Sequence, residues 1–317
     1  MSITNNQLLI FVLGYLAGIT STVQFFRLYL DETFFIDKKS DNLLIPNNGN
    51  SMFSSSLSSS SSNQRLPTSD DWTQPGWKAI QVFYGQKVTK GIPPTYSAPQ
   101  AAQDKIVAGL FRNQSKGYFV DLAANDAIDM SNTYGLERQL NWGGLCIEAN
   151  PINWRNLTHY RDCQVVGAAV GKDRMGMMSF EMEKWAGVGG GFVGSRFDNP
   201  DSKSAKSAVD VYTVPLVEIL DNAYSPKVID YVSLDVEGAE DYIISIFPFE
   251  KYIFKVMTVE RPKQKFYSIM QQNGYKCVAT IAKFGETLWI HKSYEKELDM
   301  DSVKMNAVFL YPCREVK

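Results

Sequence analysis

The stretch Gly117-Tyr-Phe-Val-Asp-Leu-Ala-Ala-Asn-Asp126 constrains this chain most. Residues 118–122 are a short apolar run with Asp121 near its end, and small residues follow at once. That pattern predicts a buried parallel strand whose carboxyl end delivers an acid into a tight turn before a helix. Small side chains at such a turn let a nucleoside approach the backbone. Two later runs repeat the arrangement. Asn141-Trp-Gly-Gly-Leu-Cys-Ile-Glu148 ends on one acid, and Asp230-Tyr-Val-Ser-Leu-Asp-Val-Glu-Gly-Ala-Glu240 on several. Strands that each present a carboxylate at the carboxyl end are how an open α/β sheet builds a binding crevice.

Around these runs, strand and helix patterns take turns. Helical spacing covers 100–112, with Ile106, Val107, Leu110 and Phe111 on one side, and helices follow at 129–140 and 150–160. Strands are predicted at 145–148, 164–168, 177–182, 209–214 and 230–235, with a helix at 215–223. Further strands at 254–259, 275–281, 287–290 and 307–311 complete the domain, with a helix reaching 273. The alternation implies parallel crossovers, hence an α/β sheet covered on both faces. The glycine-rich run 187–194 and the polar 198–207 interrupt it. No Lys-Ser/Thr follows those glycines, so they read as a surface loop that could lie over an acceptor substrate.

Composition narrows the function. The formal net charge of −2 argues against a nucleic-acid partner, which would usually demand a basic surface. His159 and His291 are the only histidines, and Cys146, Cys163, Cys277 and Cys313 show no paired short spacing, so no zinc site is expected. Cys146 reads as a small core residue; a Cys277–Cys313 bridge fits a lumenal domain. Asp235, Glu237 and Glu240 crowd together, which raises their pKa values and poises one as a general base. Carboxylates so placed could instead hold a divalent cation, although nothing in the spacing demands one. Glu240 and Asp241 also suit the first turn of a helix, whose dipole favours acids.

The amino-terminal region reads differently. Residues 8–26 are uncharged and mostly apolar, and as a helix they span about 28 Å, close to a bilayer's hydrocarbon thickness. This predicts a short tail at 1–7, a transmembrane anchor at 8–26, a flexible stem at 27–72 and one domain at 73–317. Nine of the twelve residues 51–62 are serine, a composition that cannot bury enough surface to fold. Arg27, Lys38 and Lys39 on the carboxyl flank favour a cytoplasmic domain by the positive-inside rule. Asn113-Gln-Ser and Asn156-Leu-Thr, as potential glycosylation sites, favour a lumenal one.

The wording of several segments resembles a known family. Val120-Asp-Leu-Ala-Ala-Asn125, Gly144-Leu-Cys-Ile-Glu-Ala-Asn-Pro151, Gly167-Ala-Ala-Val-Gly171 and the run 230–240 look like the FkbM-type methyltransferase domain. Ser131-Asn-Thr-Tyr-Gly-Leu-Glu137 is similar to its eukaryotic branch that includes the membrane protein Star. The resemblance implies a Rossmann-like class I fold, a mostly parallel seven-stranded sheet with helices on both faces, using S-adenosylmethionine. It implies that Glu148 accepts the ribose hydroxyls and that Asp121 orients the methionine end. Ala123, Asn125, Ala168 and Asp235 would line the same site, with Glu237 or Glu260 as the base. The acceptor would be a hydroxyl on a glycan or small metabolite. The alternative is a non-catalytic, Star-like membrane protein that assists protein cargo in leaving the endoplasmic reticulum. Either way the resemblance implies a single-pass protein of the endoplasmic reticulum or Golgi with a lumenal domain. Three positions depart from the pattern: Ala123 and Ala127 replace usual glycines, and Ala149 a common proline.

Overall fold

The apolar runs with acids at their ends do become the centre of a sheet. The computed structural model describes residues 79–85, 99–182, 190–198 and 208–313. The expected tail, anchor, stem and the domain start at 73 lie outside the described residues. Among the described residues no helix is long and apolar enough to cross a membrane.

Strands β1 (Gln81–Tyr84), β2 (Tyr118–Leu122), β3 (Gly143–Glu148) and β4 (Gln164–Gly167) join β9 (Val228–Leu234) and β10 (Ile253–Val259) in the main sheet. The hairpin β11 (Tyr275–Thr280) and β12 (Thr287–His291) completes it, in the order β1-β4-β3-β2-β9-β10-β12-β11. This corrects the expected seven mostly parallel strands: among the described residues the sheet has eight strands and is mixed. Strands β4, β3, β2, β9 and β10 are parallel, as expected. At one edge β1 pairs antiparallel with β4, from a segment whose sequence shows turn residues rather than alternation. At the other, the short link between β11 and β12 cannot make the long crossover that a parallel pair needs, so the chain folds back. The predicted strand at 307–311 is also absent. Helix α7 (Asp301–Asn306) precedes it, and pairing is limited to one bridge between Thr280 and Tyr311.

Helices α1 (Gln103–Leu110) and α2 (Tyr134–Leu140) join α7 on one face. There Ile106, Val107, Leu110, Leu136 and Val303 pack on Phe119, Cys146, Tyr231 and Val256 of the strands. The other face carries Val120, Leu122, Ile147, Val232 and Met257, alternating with the first set as strand geometry requires. Helices α4 (Leu216–Asn222), α5 (Glu240–Ile244) and α6 (Gln264–Gln272) cover it, through Leu216, Ile219, Ile243, Phe266 and Met270. Helix α3 (Pro151–Tyr160) connects β3 to β4, with Asn150 Oδ1 capping its start by accepting from Ile152 N at 3.2 Å. A second sheet, in the order β5-β8-β6-β7, is built from β5 (Ala169–Val170), β6 (Met177–Glu181), β7 (Gly191–Phe192) and β8 (Ala208–Val214). It begins at β5, one residue (Ala168) after the main-sheet strand β4 ends at Gly167.

Two disulfides use all four cysteines, Cys146–Cys163 and Cys277–Cys313. The first corrects the reading of Cys146 as a lone core residue: it faces Cys163, just ahead of β4, and both are buried. This bridge closes a short loop around α3. Constraining the unfolded chain over a separation of 17 residues is worth about 3 kcal/mol. The double variant Cys146→Ala/Cys163→Ala should therefore unfold about 3 kcal/mol more easily in denaturant without reductant. An unchanged midpoint would show that β3 and β4 hold together without the bond.

Candidate functional site

From β2 the chain moves outward to β3 and β4, then returns to β9 on the other side of β2 and moves outward again to β10. Crossovers that diverge in this way leave a crevice beyond the carboxyl ends of the strands at the switch point. A cleft of about 1000 Å³, counting the part that merges with solvent, lies there. Its lining includes Asp121, Ala123, Asn125, Glu148, Ala168 and Asp235, together with Glu237 and Glu260. All eight residues singled out from sequence are thus brought to one place.

Glu148 ends β3 with 6% of its surface exposed. Its Oε2 accepts from Asn125 N at 2.7 Å, and its Oε1 from Asn150 N at 2.6 Å. With about four lone-pair sites on its two oxygens, the carboxylate keeps capacity for a further donor, such as a hydroxyl. Burial pushes this carboxyl up to about 7, against the pull of backbone N–H groups that include Ala149's. A proline in place of Ala149 would lack that N–H, so this departure strengthens the hold on the carboxylate.

Asp121 is anchored from behind. Its Oδ2 accepts from Thr133 Oγ1 at 2.6 Å, and Thr133 Oγ1 in turn accepts from Arg161 Nη2 at 2.8 Å. Arg161 is fully buried, paired through Nε with Glu137 Oε2 at 3.2 Å, and donates from Nη1 to Ser131 Oγ at 3.0 Å. Burial raises the Asp121 pKa, while Arg161, Thr133 and Ser233 draw it back. The strand register places Asp121, Ser233 and Thr258 in one row across β2, β9 and β10. Below that row Thr258 Oγ1 meets Tyr231 OH at 2.7 Å, and buried Glu286 reaches Thr258 and Gln103. A polar seam therefore runs beneath the cleft, inside an otherwise apolar face.

The turn between them carries backbone strain. Ala123 and Asn125 adopt φ of 66° and 51°, in the left-handed region that costs a residue with a Cβ. Their conformation is the one that glycine takes freely, and Ala123 holds it while its N–H bonds Ile147 O at 2.9 Å. Ala127 differs. It is buried in the core beside α1 and does not line the cleft.

On the far side, Asp235, Glu237 and Glu260 bring one carboxylate oxygen each within 4.8 Å of one another. That spacing could hold a divalent cation. A guanidinium already supplies positive charge: Arg261 Nη2 lies 2.8 Å from Glu237 Oε2 and 2.7 Å from Glu260 Oε2. Asp235 makes no such contact among the described residues, and burial, then the nearby Glu260, raise its pKa well above the usual range. Gly238 permits the following turn at φ 88°, and Glu240 Oε1 holds it by accepting from Gly238 N at 3.1 Å. Glu240 is buried at the start of α5 and outside the cleft, as the helix-dipole reading has it. His291 ends β12, which runs antiparallel to β10, so it lies at the rim opposite the cleft, packed on Tyr275.

The remaining wall is apolar. Val170, Phe180 and Phe192 come from the second sheet and face Ile147, Ala149 and Ala168. Their role had no sequence signal beyond the alternation at 177–182. Of the glycine run, Gly190 and Gly191 line the cleft, whereas 187–189 and 199–207 lie outside the described residues. Thr133, Ser233, Thr258, Arg161 and Glu286 were likewise missed, because isolated polar residues in apolar runs announce no shared position.

Residues 121–277 match the family model of the methyltransferase FkbM domain. No curated protein matches the chain. Among solved structures, precorrin-6Y C5,15-methyltransferase from Geobacter metallireducens GS-15 is similar, at 12% identity and a TM-score of 0.33. That alignment covers 59% of this chain and 86% of that one.

Two variants test the geometry. Ala123→Gly relieves the left-handed strain but frees the unfolded chain, for a net stabilisation of about 0.5–1 kcal/mol in equilibrium denaturation; a destabilised variant would contradict the turn. Glu286 is raised from 4.5 to about 8, chiefly by burial. The native state thus keeps a proton that the unfolded state loses, and stability falls as pH rises from about 4.5 to about 8. Glu286→Gln should melt like the parent at pH 5 and above it at pH 8. Parallel melting curves at both pH values would refute the burial of that acid.

Proposed function

For a chain that carries a methyltransferase FkbM domain, we propose S-adenosylmethionine-dependent methyl transfer to a hydroxyl oxygen of a glycan or small metabolite. One observation carries the reading: Asp121, Glu148 and Asp235, from three different strands, converge on a single cleft. The residues present fit the cofactor. Glu148 offers its remaining acceptor capacity to a ribose hydroxyl, and the small residues Ala149 and Ala168 with Val170, Phe180 and Phe192 form an apolar slot for adenine. Asp121 faces the methionine end, where a carboxylate suits an ammonium group. When bound, the cofactor supplies an electrophilic methyl group.

The protein's own part is orientation and proton uptake. Transfer to oxygen needs an acceptor held in line and a group that takes the hydroxyl proton. Glu237 and Glu260 are base candidates by position, but Arg261 binds both. Asp235 lacks that guanidinium, and burial and the neighbouring Glu260 keep a proton on it, so it serves as a hydrogen-bond donor and one of the two glutamates takes the acceptor's proton. Arg261 and the other glutamate then hold the acceptor's polar groups.

The domain is assigned to the lumen of the endoplasmic reticulum or Golgi, tethered by residues 8–26. The two disulfides support this, since such bonds persist in oxidising compartments. The Ala123 methyl at the cleft turn favours the second reading, a non-catalytic protein that assists cargo export. Thermal melting of residues 73–317 with and without S-adenosylmethionine decides between them. A ligand at a hundredfold excess over Kd stabilises by about 2.7 kcal/mol, and no shift at millimolar cofactor sinks the enzyme. Glu148→Gln should weaken binding by about 1.5–3 kcal/mol, the value of a hydrogen bond to a charged group. An undiminished ligand shift in that variant would remove Glu148 from the site.

A further inference from the structure

The two Asn-x-Ser/Thr tripeptides take no part in the cleft, and the fold treats them differently. Asn113-Gln-Ser115 lies in the turn that leaves α1, where residues 112–116 are all exposed. Asn113 N donates to Ala108 O at 2.7 Å and Gln114 N to Phe111 O at 2.8 Å, which fixes the turn. Asn113 sits at φ 55°, a conformation that asparagine enters more readily than most residues. The turn precedes β2, so it occupies the amino-terminal rim of the sheet, opposite the rim that carries the cleft. A bulky group on Asn113 would leave the cleft open.

Asn156-Leu-Thr158 is placed otherwise. Asn156 is exposed on α3, but Leu157 is fully buried in the core. The helix also lies inside the loop closed by Cys146–Cys163. An enzyme that modifies this tripeptide must draw asparagine and hydroxyl residue together out of the helix, which removes Leu157 from its packing and works against the bridge. Glycosylated asparagines belong in surface loops, and only the first tripeptide is in one.

We propose that Asn113 is an N-glycan acceptor and that the fold withdraws Asn156 from use. The bond formed joins the Asn113 amide nitrogen to the anomeric carbon of an oligosaccharide. The bond broken joins that carbon to a lipid-linked diphosphate donor, which leaves with the amide proton. The inference rests on the lumenal placement proposed above.

The test uses the full chain made in a eukaryotic secretory host. Gel mobility is compared before and after an N-glycan amidase, and free thiols are counted by maleimide labelling in denaturant without reductant. The expected result is one mobility step, lost in Asn113→Gln and in Ser115→Ala and kept in Asn156→Gln. Ser115→Ala leaves the Asn113 backbone untouched, so a folding defect in Asn113→Gln cannot mimic the result. Two steps, or one step that only Asn156→Gln removes, overturn the proposal. No step with all cysteines bridged overturns it while the lumenal placement stands. No step with free thiols overturns both.

Discussion

Burial of acids at one rim of the parallel strands is the constraint on which the structure depends. Strands β2, β3, β9 and β10 run in one direction, so Asp121, Glu148, Asp235 and Glu260 arrive side by side. Buried carboxylates need hydrogen bonds, counter-charge or a proton. Each acid here is met differently. Glu148 is held by backbone N–H groups, Asp121 by a hydroxyl that Arg161 orients, and Glu260 by Arg261. Asp235 is buried and left with neighbouring acids, so burial first and Glu260 second hold its proton on. A cationic ligand entering this cleft would meet a field already biased towards it.

The first turn is rigid because its supports are internal. Glu137 takes the Arg161 guanidinium and the backbone N–H groups of Asp162 and Cys163, so one buried carboxylate ties α2 to the start of β4. Arg161 then reaches Ser131 and Thr133, the segment that enters α2. The Cys146–Cys163 bond closes the same region covalently. Glu148 and Asp121 therefore sit on a frame braced by an ion pair, hydroxyls and a disulfide. Removing one partner of such a buried pair leaves an uncompensated charge, so the frame holds as a unit.

The parallel centre of the fold was legible because buried strands ending in acids are rare enough in combination to be informative. Tyr118–Leu122, Gly143–Glu148 and Val228–Leu234 all appear within a few residues of their expected bounds. The antiparallel edges were not legible. Strand β1 is four residues of mixed character whose pairing with β4 spans more than eighty positions, and no local pattern encodes that contact. The same holds for the site. Acids at strand ends announced themselves, whereas Glu286 follows a glycine in what reads as an ordinary turn and becomes buried only through the β11–β12 hairpin. Cys163 likewise meets Cys146 only after β3 and β4 align.

The two alanines that replace glycines show how such a substitution should be weighed. What matters is the backbone conformation and the direction of the added methyl, not the loss of glycine as such. Ala127 directs its methyl into the core, where it adds apolar contact and leaves the cleft alone. Ala123 retains the left-handed turn and lines the cleft, so its methyl is both strained and close to any ligand there. Strain of this kind persists only where surrounding bonds over-determine the backbone. The Ile147 carbonyl, which accepts from both Ala123 N and Ala124 N, supplies that restraint. The turn therefore keeps its left-handed shape, and the alanine alters the room within it rather than its architecture.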